Sequence, residues 1–293
     1  MKIAVYGQYY KDDTRDIIEK MFRVFDAHDT EVIFEQRYFD ALKANGIIKK
    51  AFTVFSTHDE LDDVNIFISI GGDGTMLRAA TYVRGKGIPI VGINAGRLGF
   101  LATVQQENIE TQLPLIFTND YKISPRTLLT LHYEGCDEQL EGLDFALNEI
   151  TVSRRDTTSM ITIEVKLNGD HLNSYWADGL ILSTPTGSTG YSLSCGGPVM
   201  IPGANSLVIT PIAPHNLNAR PLVIPDDTEI TLRVSSREEQ HLVSLDSRII
   251  RLDVDTVLTV KKAGFKINLI EFAQEKFLDT LRKKLLWGED KRN

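Results

Sequence analysis

Val64-Asn65-Ile66-Phe67-Ile68-Ser69-Ile70-Gly71-Gly72-Asp73-Gly74-Thr75 is the stretch on which the fold turns. Residues 64–70 are nearly all apolar, as a strand covered on both faces must be, and such strands belong to parallel sheets flanked by helices. The run enters a glycine turn without a break, and Met76-Leu77-Arg78-Ala79-Ala80 continues as a helix. Outward from it, residues 3–6, 31–35 and 88–93 repeat the strand signal. Ile18, Met21, Phe22 and Phe25 recur at i, i+3, i+4 and i+7, the period of a one-sided helix. Parallel strands need crossover helices, so residues 1–121 predict a Rossmann-like parallel α/β domain.

From Lys122 the character changes to short strands parted by turn residues. Ile161, Ile163, Val165 and Leu167 alternate with Thr162, Glu164 and Lys166 and close on Asn168-Gly169, a half-buried strand entering a hairpin. Further strands are expected at 128–133, 146–152, 180–183, 207–212, 229–234, 242–245, 257–260 and 267–270. Residues 122–270 thus predict an all-β, β-sandwich-like domain. In residues 271–293, Phe277, Leu278, Leu281 and Leu285 stand at helical spacing and Lys283-Lys284 suit a helix C-terminus, predicting a helix that docks back on the first domain.

A length of 293 residues fits two cores better than one. The net charge of −8, from 40 acidic and 32 basic residues, argues against a broad nucleic-acid surface, so an anionic substrate has to be met locally. Cys136 and Cys195 lie far apart and form no CxxC pair, which points to a reducing compartment rather than a disulfide framework. The chain enters an apolar strand at once, leaving no room for a signal peptide, and no apolar run approaches the roughly 18 residues of a membrane span. A cytoplasmic protein that binds neither nucleic acid nor membrane is expected.

The glycine turn lies at the carboxyl end of its strand, where open α/β sheets bind ligands and where the next helix points amide N–H groups at anions. Gly71, Gly72 and Gly74 remove the Cβ atoms that would hold a phosphate away from the backbone, with Thr75 beside them. Asp73 is the anomaly, because an aspartate repels phosphate. The spacing fits neither GxxxxGK[ST] nor GxGxxG. A carboxylate there makes sense if it takes a proton from an attacking hydroxyl or helps place a metal, and both roles belong to phosphoryl transfer.

GGDGT after a buried strand resembles the signature of the NAD kinase, diacylglycerol kinase and phosphofructokinase superfamily, which leaves the acceptor open. Three segments narrow it. Asn94-Ala95-Gly96-Arg97-Leu98-Gly99-Phe100-Leu101 resembles the NAD kinase segment N-x-G-x-L-G-F-L, although alone it reads as a glycine loop with Phe100 in the core. Asn148-Glu149 matches the N-E pair that holds the adenosine of NAD, although alone it reads as outward polar positions. A carboxylate suits a ribose diol and an amide suits adenine. The run from Asp178 through Ser183-Thr184-Pro185-Thr186-Gly187-Ser188-Thr189-Gly190-Tyr191-Ser192-Leu193-Ser194 resembles the family's D-G-x-x-x-S-T-P-T-G-S-T-A-Y-x-x-S, with Gly190 where Ala is common. Its hydroxyl side chains around one tyrosine look like a surface for stacking a base and donating hydrogen bonds. Pro214-His215-Asn216 continues the likeness, and His215 is a weak candidate acid beside its ordinary reading as a hydrogen-bonded structural histidine.

The resemblance implies transfer of the terminal phosphoryl group of ATP to the 2′-hydroxyl of the adenosine ribose of NAD. Asp73 would act on that hydroxyl and Gly71, Gly72, Gly74 and Thr75 would meet the phosphates, with Mg²⁺ or Mn²⁺ on them. NAD would be bound by Asp73, Gly74, Arg78, Asn148, Glu149, Ser159, Trp176, Asp178, the residues Thr189, Gly190, Tyr191, Ser192, Leu193 and Ser194, and Arg248. A homodimer or homotetramer is implied as well. A lipid kinase would want a basic amphipathic helix, a sugar-phosphate kinase an Arg-rich pocket, and a non-catalytic NAD(P) sensor would not need Asp73 and Glu149.

Overall fold

The computed structural model describes residues 1–9, 13–96, 98–155, 160–216, 218–273 and 276–286. The chain falls into two compact units: Met1–Pro125 together with the chain from Ile267 on, and Arg126–Lys266.

In the first unit β1 (Lys2–Gly7), β2 (Glu31–Glu35), β3 (Thr53–Phe55), β4 (Ile66–Gly71), β5 (Ile90–Asn94) and β6 (Lys122–Arg126) share one seven-stranded sheet with strand Ile267–Glu271. The order is β3-β2-β1-β4-β5, then Ile267–Glu271, then β6. From β3 to β5 every pairing is parallel. All of β4 is buried, which is why its sequence is an apolar run and not an alternation. Helix α1 (Thr14–Asp26) buries Ile17, Ile18, Met21, Val24 and Phe25 against the sheet, with Phe22 half-buried on the same core. Helices α2 (Gln36–Ala44) and α3 (Asp73–Val83) follow β2 and β4. The chain steps outward from β1 through β2 to β3 and then returns to β4, so the connections from β1 and β4 run to opposite sides. The carboxyl ends there form the crevice in which such sheets take ligands.

The second unit is two six-stranded sheets whose pairings are antiparallel. Ile163, Val165, Leu232 and Leu258 from one sheet meet Ile150, Val152, Leu180, Leu182 and Val243 from the other in a single core. Strand Ile161–Leu167 alternates as read, and Asn168 and Gly169 both take positive φ, 50° and 89°, as a tight two-residue hairpin requires. Strand Glu149–Arg154 lies between Gly179–Ser183 and the hairpin Gln240–Leu245/Arg248–Asp253.

Ile267–Glu271 differs from its expected place. Its sequence groups it with the β-rich segment it follows, yet Leu269 pairs in parallel with Ile90 of the first sheet, and Ile267, Leu269 and Ile270 are buried. The β6 strand likewise joins the first sheet, so the expected break at 121/122 falls at 125/126. Helix Phe277–Leu285 belongs to the same unit, with Leu281 buried and Phe277 6.0 Å from Phe100 between ring centres. Among the described residues no helix is long and apolar enough to cross a membrane.

Candidate active site

The glycine turn is built by contact. Gly71 ends β4 and Gly72 caps α3 in an extended conformation. A Cβ on Gly71 would overlap the Thr75 side chain, which is buried beneath the turn. Thr75 N–H donates to the Gly72 carbonyl at 2.9 Å, and Thr75 Oγ1 has no hydrogen-bond partner among the described residues.

Asp73, the first helical residue of α3, turns its carboxylate toward the loop after β5. There it accepts the backbone N–H groups of Phe100 at 2.8 Å, Leu101 at 2.9 Å and Ala102 at 3.2 Å. Gly99 is the residue that permits this, because a Cβ on it would overlap the Asp73 carboxylate. Lys284 of the C-terminal helix stands 3.9 Å from Asp73 Oδ2 and 5.1 Å from the Phe100 ring centre. The carboxylate stays 31% exposed. With about four acceptor directions on a carboxylate and three amides in place among the described residues, one acceptor direction is left on Asp73. The segment read as N-x-G-x-L-G-F-L is thus the partner of Asp73, and Phe100 packs against Phe277. Arg78 lies about one and a half turns along α3, exposed, and hydrogen-bonds Tyr6.

In the second unit, Asn148 and Glu149 stand where strand Glu149–Arg154 begins, held by a residue that sequence reasoning did not single out. Asp246, at positive φ in the turn of the Gln240–Leu245/Arg248–Asp253 hairpin, accepts the consecutive N–H groups of Leu147, Asn148 and Glu149 at 2.9, 2.8 and 3.2 Å. Its own N–H donates to the Glu149 carbonyl at 3.0 Å. Arg248 is directed at the same segment: it donates to the Leu143 carbonyl at 2.6 Å and to that of Phe145, and lies 5.2 Å from the Phe145 ring centre. The only sequence signal for Asp246 is a lone acidic residue in a turn, which ordinarily reads as solvated.

Glu149 Oε2 and Asn148 Oδ1 are buried and have no hydrogen-bond partner among the described residues. Burial pushes the Glu149 carboxyl up to about 8, with the Asp246 charge adding to the rise. Burial raises Asp246 too, and the three amides and Arg248 oppose that rise. A carboxyl raised from its usual 4.5 favours the folded state below pH 4.5, and that contribution is lost as the pH climbs to about 8. Glu149→Gln removes this loss. Thermal melts of wild type and Glu149→Gln at pH 6 and pH 8.5 are expected to show the variant gaining at least a few degrees on wild type at the higher pH. An unchanged difference between the two would mean that Glu149 is already ionised at pH 6.

Around this pair the long motif closes in. A Cβ on Gly190 would sit 3.3 Å from Glu149 Oε2 and 3.6 Å from Asn148 Nδ2, so the added methyl of an alanine is a tight fit. Tyr191, 46% exposed, has its hydroxyl raised first by burial and then by Cys195, Asp178 and Glu149, which places those charges near it. Asp178 pairs with Arg154 at 3.1 Å. Thr189 bonds the Thr186 carbonyl and is half-buried, while Leu193 is half-buried and Ser194 exposed.

Three hydroxyls of this motif are engaged inside the chain. Thr184 Oγ1 donates to the Leu147 carbonyl at 2.6 Å and Ser188 Oγ to that of Pro185 at 2.7 Å. Ser192 Oγ is 2.8 Å from Thr210 Oγ1, and all three serine and threonine side chains are fully buried. A Cβ on Gly187 would overlap the Asn148 carbonyl. These bonds help fix the backbone that carries Asn148 and Glu149. Trp176 is 51% exposed and His215 lies 4.7 Å from it between ring centres, with His215 N–H donating to the Trp176 carbonyl. These contacts fit the structural reading of the histidine. Ser159 lies outside the described residues.

A glycine turn with an aspartate at the end of a buried parallel strand, joined in one chain to a β-sandwich with orphaned buried acceptors, defines a nucleotide phosphotransferase. Solved structures share the fold: an NAD kinase from Archaeoglobus fulgidus in complex with ATP superimposes with a TM-score of 0.76 at 26% identity, over 98% of this chain and 99% of that one. Yeast NADH kinase complexed with NADH matches with a TM-score of 0.87 at 21% identity, over 99% of this chain and 89% of that one. The family model for the ATP-NAD kinase N-terminal domain matches residues 14–121, and that for the ATP-NAD kinase C-terminal domain residues 147–272. Curated relatives named NAD kinase from Flavobacterium psychrophilum and Flavobacterium johnsoniae are 62% and 58% identical over the full length of both chains. The chain belongs to the ATP-NAD kinase family and is a kinase.

Proposed function

We propose that the chain transfers the terminal phosphoryl group of ATP to the 2′-hydroxyl of the adenosine ribose of NAD, giving NADP and ADP. The observation that carries this reading is the orphaned pair Asn148 Oδ1 and Glu149 Oε2. Buried polar atoms are nearly always hydrogen-bonded, and an adenosine supplies the missing donors in its exocyclic amine and its ribose hydroxyls. A protonated Glu149 can both donate to and accept from the diol. Tyr191, exposed beside it, offers a face for the base, with Asp178 nearby.

In the first unit, the free amides at the start of α3 meet the donor phosphates, and the remaining acceptor direction of Asp73 takes the proton of the attacking hydroxyl. Among the described residues no group of three or more His, Cys, Asp or Glu side chains is placed to hold a metal ion. That suits a magnesium-type cation, Mg²⁺ or Mn²⁺, carried mainly by substrate phosphates with one or two carboxylates at most, of which Asp73 is the one at the turn. Such a cation offsets charge on the transferred group. A homodimer or homotetramer is the expected assembly.

The test is a coupled assay for NADP with ATP, Mg²⁺ and either NAD or its adenosine 2′-deoxy analogue. Product from NAD and none from the analogue is expected. Tight NADP binding without turnover would instead make the chain a sensor of NADP.

A further inference from the structure

One stripe of helix Phe277–Leu285 is accounted for: Phe277 meets Phe100, Leu281 is buried and Lys284 reaches Asp73. The neighbouring stripe is not. Asp279 and Thr280 lie one turn and Lys283 two turns beyond Lys276, so these side chains face one direction. They wall a cavity of about 310 Å³ in the first unit, whose other wall is drawn from the chain between Leu98 and Gln112. The volume falls within the roughly 300–1,000 Å³ of small-molecule sites, and no residue assigned above to ATP or NAD lines it.

One group in the lining is unsatisfied. Gln112 closes the short helix Ile109–Gln112, whose Ile109 is fixed in the core, and is only 2% exposed. Its Oε1 is buried without a hydrogen-bond partner among the described residues. Buried polar side-chain atoms are nearly always paired, so this carbonyl calls for a donor from a molecule seated in the cavity. The charges around it narrow that molecule. Asp279 is taken by Arg282 of its own helix. Lys276, Lys283 and Glu107 have no ion pair among the described residues, which leaves two ammonium groups and one carboxylate unanswered. Their complement is two carboxylates and one ammonium on a short chain, an acidic α-amino acid. Its ammonium donates to Gln112 Oε1 and answers Glu107, while Thr103 and Thr280 offer hydroxyls to the carboxylate oxygens. A dicarboxylate without the amine would leave Gln112 unsatisfied and face Glu107 with like charge.

Both walls of the cavity also hold Asp73. Phe100, Leu101 and Ala102, between Leu98 and Thr103, donate the three N–H bonds to its carboxylate, and the helix brings Lys284 beside it. A ligand that joins the two walls fixes this bracket without touching a substrate.

We propose that the cavity between residues 98–112 and the C-terminal helix is an effector site for an acidic amino acid, and that its occupation raises turnover. The effect on turnover rests on the phosphoryl-transfer reading above; the binding does not. Calorimetry on the full chain should show saturable binding of L-glutamate or L-aspartate with a Kd of about 1 mM or tighter. Glutarate, which lacks the ammonium, and L-glutamine, which lacks the second carboxylate, should bind roughly tenfold more weakly or worse. Lys283→Glu reverses an exposed charge, and Gln112→Leu replaces the orphaned carbonyl at similar size. Each should weaken the amino acid by roughly tenfold or more, and leave kcat and KM measured in its absence within about twofold. Saturating amino acid should raise kcat for NADP formation by about twofold or more in wild type and not in the variants. Should Gln112→Leu fail to fold, Lys283→Glu still reads the site from the surface. No saturable binding by wild type, glutarate binding as tightly as glutamate, or binding indifferent to the substitutions would overturn the site, and binding that leaves kcat unmoved would overturn its link to Asp73. If the chain forms no NADP yet binds the amino acid in a Lys283-dependent way, the cavity assignment stands and the acceptor assignment falls.

Discussion

Asp73→Asn is expected to lower turnover of ATP and NAD by roughly 10²–10⁴-fold, the usual contribution of a positioned general base, with little change in KM for either substrate. Asp73 has two tasks, however. Its carboxylate brackets the loop through Phe100, Leu101 and Ala102, and an asparagine would turn an N–H₂ toward one of those donors. The bracket alone can therefore cost activity by letting the loop shift. Gly99→Ala separates the two tasks: it keeps the carboxylate but forces it and the loop apart, because a Cβ there overlaps Asp73. If proton transfer is the larger task, steady-state kinetics should show Asp73→Asn losing at least tenfold more in kcat than Gly99→Ala, while both melt at lower temperature. Equal losses would make Asp73 a structural clamp and leave the attacking hydroxyl without its base.

The parts legible in the sequence are those where one local property has one structural meaning. Residues 64–70 are apolar without alternation because β4 is buried on both faces, and Asn168-Gly169 marks a hairpin because both residues must take positive φ. The glycine turn was equally plain. The failures share a different cause, which is that a polar residue's role depends on what lies across from it. Thr184, Ser188 and Ser192 read as donors to a ligand, but each faces a carbonyl or hydroxyl inside the sandwich. Glu35 is both a helix cap and a wall of a cavity, and the strand signal of residues 31–35 carries neither role. Ile267–Glu271 has the composition of the strands before it, and only its pairing with β5 assigns it to the first unit. Asp246 stands 97 to 99 positions from the three amides it holds, a separation no local pattern spans.

Asp246→Ala is expected to give the largest loss of stability of any single change at the site. Removing the carboxylate leaves the Leu147, Asn148 and Glu149 N–H groups without their acceptor and takes away a charge that attracts Arg248. Breaking a buried, multiply bonded charge costs on the order of 3–5 kcal/mol. At roughly 2–4 °C per kcal/mol for chains of this size, the melting temperature should fall by about 10 °C. The effect on function is distinct from the effect on folding. Once the hairpin no longer grips residues 147–149, Asn148 and Glu149 lose their fixed approach to the adenosine, so KM for NAD should rise at least tenfold below the melting point. KM for ATP should not follow, since Asp246 belongs to the second unit and the phosphate turn to the first. Asp246→Asn keeps one acceptor oxygen and the shape, and should recover part of the melting temperature while removing the charge that helps raise Glu149. The stability gained by Glu149→Gln at pH 8.5 should then be smaller in the Asp246→Asn background than in wild type, and an undiminished gain would show that burial alone holds the proton on Glu149.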